Sequence, residues 1–97
     1  MVDSTFINYE SKRTFLRNGN WVSYDAEGGV PTYYYGNWLE DLFVPACEPI
    51  LHVTFLDNGN LVTESYSYNF NGNFLNLTLT ATTDPDNAIG ASLYLQR

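Results

Sequence analysis

Four basic residues, one histidine and one cysteine are all that this 97-residue chain offers to several common chemistries. A lone Cys47 cannot form an intramolecular disulfide, so bridges do not hold the fold. Against 11 acidic residues, the few lysines and arginines leave a formal net charge of −7. Nucleic acid and anionic membrane both require basic patches, and neither is expected as a partner. A basic protein partner is compatible with that charge, as is plain solubility. No run approaches the roughly 18 apolar residues of a membrane span, and no signal-peptide pattern opens the chain. Met1 closely followed by polar Asp3-Ser4-Thr5 is the form left when a secretion signal has been trimmed. This favours a secreted or cell-envelope setting over the cytoplasm without fixing the compartment.

Catalytic and metal constellations are equally thin. A metal centre needs several convergent His, Cys or carboxylate ligands, and no such set is spaced in the chain. His52 and Cys47 lie close in sequence, but Pro49 intervenes and no acid is placed to orient the histidine. Asp84-Pro85-Asp86-Asn87 lacks EF-hand spacing and reads as a turn. No glycine loop of the phosphate-cradling type occurs. No cofactor, no metal site and no catalytic residue is therefore assigned, and the chain is expected not to be an enzyme.

What is abundant is β chemistry: 8 Tyr, 6 Phe and 2 Trp, beside many Asn, Thr and Ser. The stretch from Ile50 to Ala81 organises the rest. Asn58-Gly59 and Asn71-Gly72 are each flanked by alternating apolar and polar residues, the strongest short-range signal for a hairpin with a two-residue turn. With Asn58-Gly59 at the tip, Leu56 faces Leu61, Phe55 faces Val62, Val53 faces Glu64 and Leu51 faces Tyr66. With Asn71-Gly72 at the second tip, Tyr68 faces Leu75, Tyr66 faces Leu77, Glu64 faces Leu79 and Val62 faces Ala81. Both registers place Leu51, Val53, Phe55, Val62, Tyr66, Tyr68, Leu75, Leu77, Leu79 and Ala81 on one face. His52, Thr54, Thr63, Ser65, Ser67, Asn76, Thr78 and Thr80 fall on the other, wet face. Glu64 is the exception, a carboxylate on the apolar face. It is expected to be a ligand anchor, or to be accommodated by a bulge or by a basic partner such as Arg13, Arg17 or Arg97.

The remaining segments read as follows. Helical character is expected over Glu10–Leu16, ended by Asn18-Gly19. Asn20–Tyr24 and Pro31–Tyr35 read as strands, with Gly36 breaking the second. Asn37-Trp38-Leu39-Glu40 has the form of a helix start, with Leu39, Leu42 and Phe43 packing inward until Pro45. Ala88–Leu95 is a last strand with Ile89, Ala91, Leu93 and Leu95 on one face. The expectation is a single all-β domain over residues 1–97. It is an antiparallel meander of about six strands forming a small or incomplete up-and-down barrel, with one or two short helices. An edge left by six strands would pair across a homodimer.

Gly19-Asn20-Trp21, placed at the start of a first strand after a short helical segment, resembles the lipocalin (calycin) signature. Cys47–Leu61, a Thr-Phe strand leading into an Asn-Gly turn, is similar to the lipocalin-like domains of small bacterial secreted or lipid-anchored proteins. The resemblance implies a barrel that binds a small apolar or amphipathic ligand in its lumen without catalysis. It also implies that Trp21 closes one end with Arg97 packed on it. The lumen residues would be Val53, Phe55, Glu64, Tyr66, Tyr68, Leu77 and Leu79. A second reading is an acidic interaction or inhibitor module, of the immunity-protein or phage-encoded type. It would meet a basic partner through Asp25–Tyr35 and Asn37–Phe43, with Glu27, Glu40 and Asp41. A third, ranked last, uses Glu64 as a general acid or base in a barrel cavity.

Overall fold

The structure, a computed structural model, describes residues 3–8, 10–26, 29–41 and 49–97. The described residues form eight antiparallel strands: β1 (Ser4–Ile7), β2 (Ser11–Phe15), β3 (Asn20–Asp25), β4 (Thr32–Asp41), β5 (Ile50–Asp57), β6 (Asn60–Asn71), β7 (Phe74–Thr82) and β8 (Ser92–Gln96). Each pairs with its sequence neighbour, and β8 returns to β1 to close the barrel. The meander is thus complete at eight strands rather than about six, because several are very short. Closure also removes the free edge on which strand pairing across a dimer was expected.

Neither expected helix forms among the described residues. Ser11–Phe15 is a strand whose alternation buries Phe15 and half-buries Arg13, while Lys12 faces out. Asn37–Asp41 continues β4, and Gly36 does not interrupt it. The apolar pair Trp38-Leu39 divides between faces: Trp38 is inward and half-buried, Leu39 outward and exposed. Leu42, Phe43, Pro45 and Cys47 lie outside the described residues, as does Glu27.

The turns explain the register. Asn58 and Gly59 both have positive φ (51° and 81°), as a type I′ turn requires, and the β5–β6 pairing is the expected one throughout. At the next hairpin the loop is Gly72-Asn73, closed by Asn71↔Phe74. Gly72 takes φ of 61° and Asn73 follows with negative φ, the sign pattern of a type II′ turn. The pairing therefore slides by two residues from the expected one, so Tyr68 faces Leu77 and Tyr66 faces Leu79. A slip of two leaves every side chain on its expected face. The tip between β2 and β3 has three residues ending in Gly19 at φ 87°, with the Gly19 amide donating to the Leu16 carbonyl.

One face change does occur. The β6–β7 register shifts between Ser65 and Tyr66, so Tyr66 faces Leu79 while Ser65 faces Ala81. Thr80 is the extra residue of a β-bulge. Beyond it Ala81 is exposed, contrary to the expected alternation, and Thr82 takes the inward position opposite Glu64. The last strand is also shorter than expected. It starts at Ser92, leaving Ala91 in the connection and Ile89 61% exposed.

An up-and-down barrel has two ends. The β2–β3 and β6–β7 connections gather at one, with the last residues of β4 and the first of β5, and this end is packed solid. Phe6, Phe15, Leu51, Leu75 and Leu95 are essentially inaccessible there. Trp38 stands edge-on to Phe15 at 5.6 Å and donates its indole N–H to the Leu16 carbonyl at 2.9 Å, tying the floor to the β2–β3 turn. The Arg97 guanidinium lies over Phe6 at 5.1 Å and Phe70 at 6.0 Å. On the outer face, hydroxyl pairs bridge adjacent strands at Thr5–Thr14, Thr54–Thr63 and Thr78–Ser92.

Candidate functional site

The other end of the barrel is open. A cavity of about 520 Å³ enters between the β3–β4, β5–β6 and β7–β8 connections. Its apolar wall is Trp21, Phe55, Leu79 and Leu93, with Ala88 and Ala91 at the rim; its polar groups are Arg13, Ser23, Asp25, Tyr34, Asp57, Glu64, Tyr66, Asp84, Asn87 and Ser92.

Gly36 shapes the aromatic wall. It sits between Trp21 on β3 and Phe55 on β5 in the pairing register. With no side chain between them, the two rings meet at 5.4 Å, and Tyr34 stands on Phe55 at 5.3 Å. A Cβ at position 36 would fall 1.9 Å from the Thr54 carbonyl oxygen. Gly19-Asn20-Trp21 opens the third strand, not the first, because β2 occupies the segment read as helical and β1 precedes it. Trp21 borders the cavity, whereas Arg97 is placed with Phe6 and Phe70.

Glu64 is the polar centre of the cavity. It is 5% exposed. Its Oε1 accepts from the Tyr66 hydroxyl at 2.8 Å, and its Oε2 accepts from Thr82 Oγ1 at 2.9 Å and Asn87 Nδ2 at 2.7 Å. Three donors and no acceptor is the environment of an ionised carboxylate. The Thr80 bulge makes this possible, since only the shift brings Thr82 inward. Thr82 Oγ1 also accepts the Asp84 amide at 3.0 Å, which leaves its own proton for Glu64. The β7–β8 connection delivers Asn87. It is held by hydrogen bonds from the Gly90 amide to the Leu79 carbonyl and from the Leu79 amide to the Ala91 carbonyl. Among the described residues no cation is paired with Glu64. Arg13 pairs with Asp25 at 3.2 Å and Arg17 with Asp3 at 2.8 Å.

Asp25 is the second anchored carboxylate. Its Oδ1 accepts from Ser11 Oγ at 2.7 Å and from Arg13, and Ser23 Oγ lies 3.4 Å from Oδ2. Burial, then the charge of Glu64 and its hydrogen bond, push the Tyr66 hydroxyl far above its usual pKa. Tyr34 is raised by burial first, then by Asp57, Asp25 and Asp84, which together make the mouth electrically negative.

Of the seven expected lumen residues, Phe55, Glu64, Tyr66 and Leu79 line the cavity. Val53, Tyr68 and Leu77 belong to the packed core beneath it. The Tyr68 hydroxyl donates to Glu40 on β4, and burial, then that bond and charge, raise its pKa. Two residues proposed for a basic partner are thus engaged inward, Asp25 with Arg13 and Glu40 with Tyr68. His52 is on the outer face, its Nδ1 2.8 Å from Ser65 Oγ. Sequence reading missed Asp57, Asp84, Asn87 and the role of Arg13. Their positions follow from barrel closure and the bulge, neither of which has a local sequence signal here. No protein-family model, no curated protein and no solved structure matches the chain.

Proposed function

We propose that this chain is a non-catalytic binding protein that holds a small amphipathic molecule in the open half of its barrel, in the manner of lipocalin-like domains. The observation that carries this reading is the 520 Å³ cavity above a solidly packed floor. Its size falls within the roughly 300–1,000 Å³ of small-molecule sites. At about 30 Å³ per water, a ligand filling it displaces on the order of 17 waters. The aromatic wall supplies apolar area. Glu64 and Tyr66, fixed by Thr82 and Asn87, supply oriented polar groups that need no rearrangement on binding.

The test uses a neutral aromatic probe, N-phenyl-1-naphthylamine, titrated by fluorescence. Saturable one-to-one binding is expected, weakened at least tenfold by Ala88→Trp, which adds a large side chain at an exposed rim position of the cavity. A signal that does not saturate, or that Ala88→Trp leaves unchanged, removes the lumen as the binding site.

A further inference from the structure

We infer that the cavity selects a cationic ligand, an amine or ammonium group carried on an apolar body. This rests on the lumen-binding reading and specifies it. Four carboxylates face the cavity, Asp25, Asp57, Glu64 and Asp84, against a single guanidinium, Arg13. Arg13 is committed to Asp25 at 3.2 Å, so this pair contributes little net charge. Glu64, Asp57 and Asp84 are left without a bonded cation among the described residues.

Glu64 gives the strongest indication. It is more than nine-tenths buried, and its three hydrogen bonds come from neutral groups. Buried charges in proteins are ordinarily paired with opposite charge. Here the side opposite the carboxylate is the cavity itself. A carboxylate offers about four lone-pair positions, three are taken, and the remaining one is on Oε1, the oxygen bonded only by Tyr66. An ammonium N–H completes that set and supplies the absent charge.

The facing wall suits the same ligand. Trp21 and Tyr34 each pack on Phe55, with ring centroids at 5.4 and 5.3 Å. Ring faces attract a desolvated cation and also bury alkyl or aryl surface. An anionic ligand such as a fatty acid would meet three unneutralised carboxylates. A neutral ligand would leave Glu64 uncompensated. Asp57 and Asp84 at the mouth also draw cations inward and repel anions.

The experiment compares three ligands of one shape, decylamine, 1-decanol and decanoate, by calorimetric titration at pH 7 and low salt. The amine is expected to bind at least tenfold tighter than the alcohol, with decanoate weakest. The amine-to-alcohol ratio is expected to fall about tenfold in Glu64→Gln. In that variant the amide nitrogen can donate to the Tyr66 oxygen while the amide oxygen accepts from Thr82 and Asn87. A smaller fall is expected in Asp57→Asn with Asp84→Asn, where the side chains are more solvated and a folding defect is not at issue. Alcohol binding as tight as amine binding overturns the charge selectivity and leaves the lumen reading standing. Decanoate binding tightest overturns it outright. Binding of none of the three, together with failure of the neutral aromatic probe, removes the lumen reading as well.

Discussion

Alanine at position 36 sets two physical effects against each other. Gly36 lies within β4 without positive φ, and a glycine there normally costs stability. Replacing it with alanine restricts the unfolded chain and would stabilise by about 0.4–1 kcal/mol if the site had room. It does not. The added Cβ would sit 1.9 Å from the Thr54 carbonyl oxygen, 2.8 Å from its carbonyl carbon and 2.9 Å from Phe55 Cβ. All three belong to the β5 main chain or to its first side-chain atom, so no rotamer change relieves the clash. The strands must part, which loosens the Asn37↔Thr54 and Gly36↔Phe55 pairs and separates Trp21 from Phe55. Overpacking costs about 1–3 kcal/mol and a weakened ladder bond about 1 kcal/mol more. After subtracting the entropic gain, Gly36→Ala should destabilise by roughly 1–3.5 kcal/mol. For a domain this size that lowers Tm by about 4–28 °C. Urea unfolding followed by tryptophan fluorescence gives the midpoint. A Gly36→Ala protein at least as stable as the parent would mean that β4 does not run past β5 at residue 36.

Two further predictions address the carboxylate cradle. Thr82→Val keeps the side-chain shape and removes the hydroxyl that donates to Glu64 at 2.9 Å and accepts the Asp84 amide at 3.0 Å. It should cost about 1–3 kcal/mol through the lost bonds and weaken probe binding, whereas an unchanged urea midpoint would count against Thr82 as part of the cradle. Tyr66 has a folded pKa above its usual 10.0, from burial first and then from Glu64. Its contribution to stability is complete below about pH 10 and is lost as pH rises toward the folded value. The urea midpoint should therefore fall as pH rises above about pH 10, and Tyr66→Phe should flatten that fall; parallel slopes in the two proteins would refute it.

Legibility in the sequence followed the turns. Asn58-Gly59 has two residues that tolerate positive φ, so one register fits and the sequence alone identifies it. Asn71-Gly72-Asn73 admits two hairpin tips one residue apart. The one that forms uses Gly72 at the first central position, and only the two-residue character of the slip preserved the faces. Helix expectations failed at Lys12-Arg13 and at Asn37–Glu40, where local preference and a capping pattern were overridden by pairing on both sides. Within the site, Glu64 announced itself as a break in alternation. Thr82 and Asn87 did not, since the alternation that would predict their faces is shifted by the bulge. Asp57 and Asp84 look like ordinary turn residues until the barrel closes around them.

Closure of the barrel has a kinetic consequence. Every pairing except one joins strands adjacent in the chain and can form as a local hairpin. The exception, β1 on β8, is held among the described residues by a single ladder pair, Ile7↔Gln96. Two polar bonds span 86 and 93 residues beside it, Asn8 Nδ2 to the Tyr94 carbonyl and Arg97 Nη2 to Ser4 Oγ. Joining chain segments that far apart carries the largest loop-closure entropy in the molecule for the fewest bonds. The seam is therefore the last element to zip during folding and the first to part in native-state opening. Amide exchange should be fastest along β1 and β8, and a chain caught with its seam open presents two bare strand edges that a second open copy can pair with.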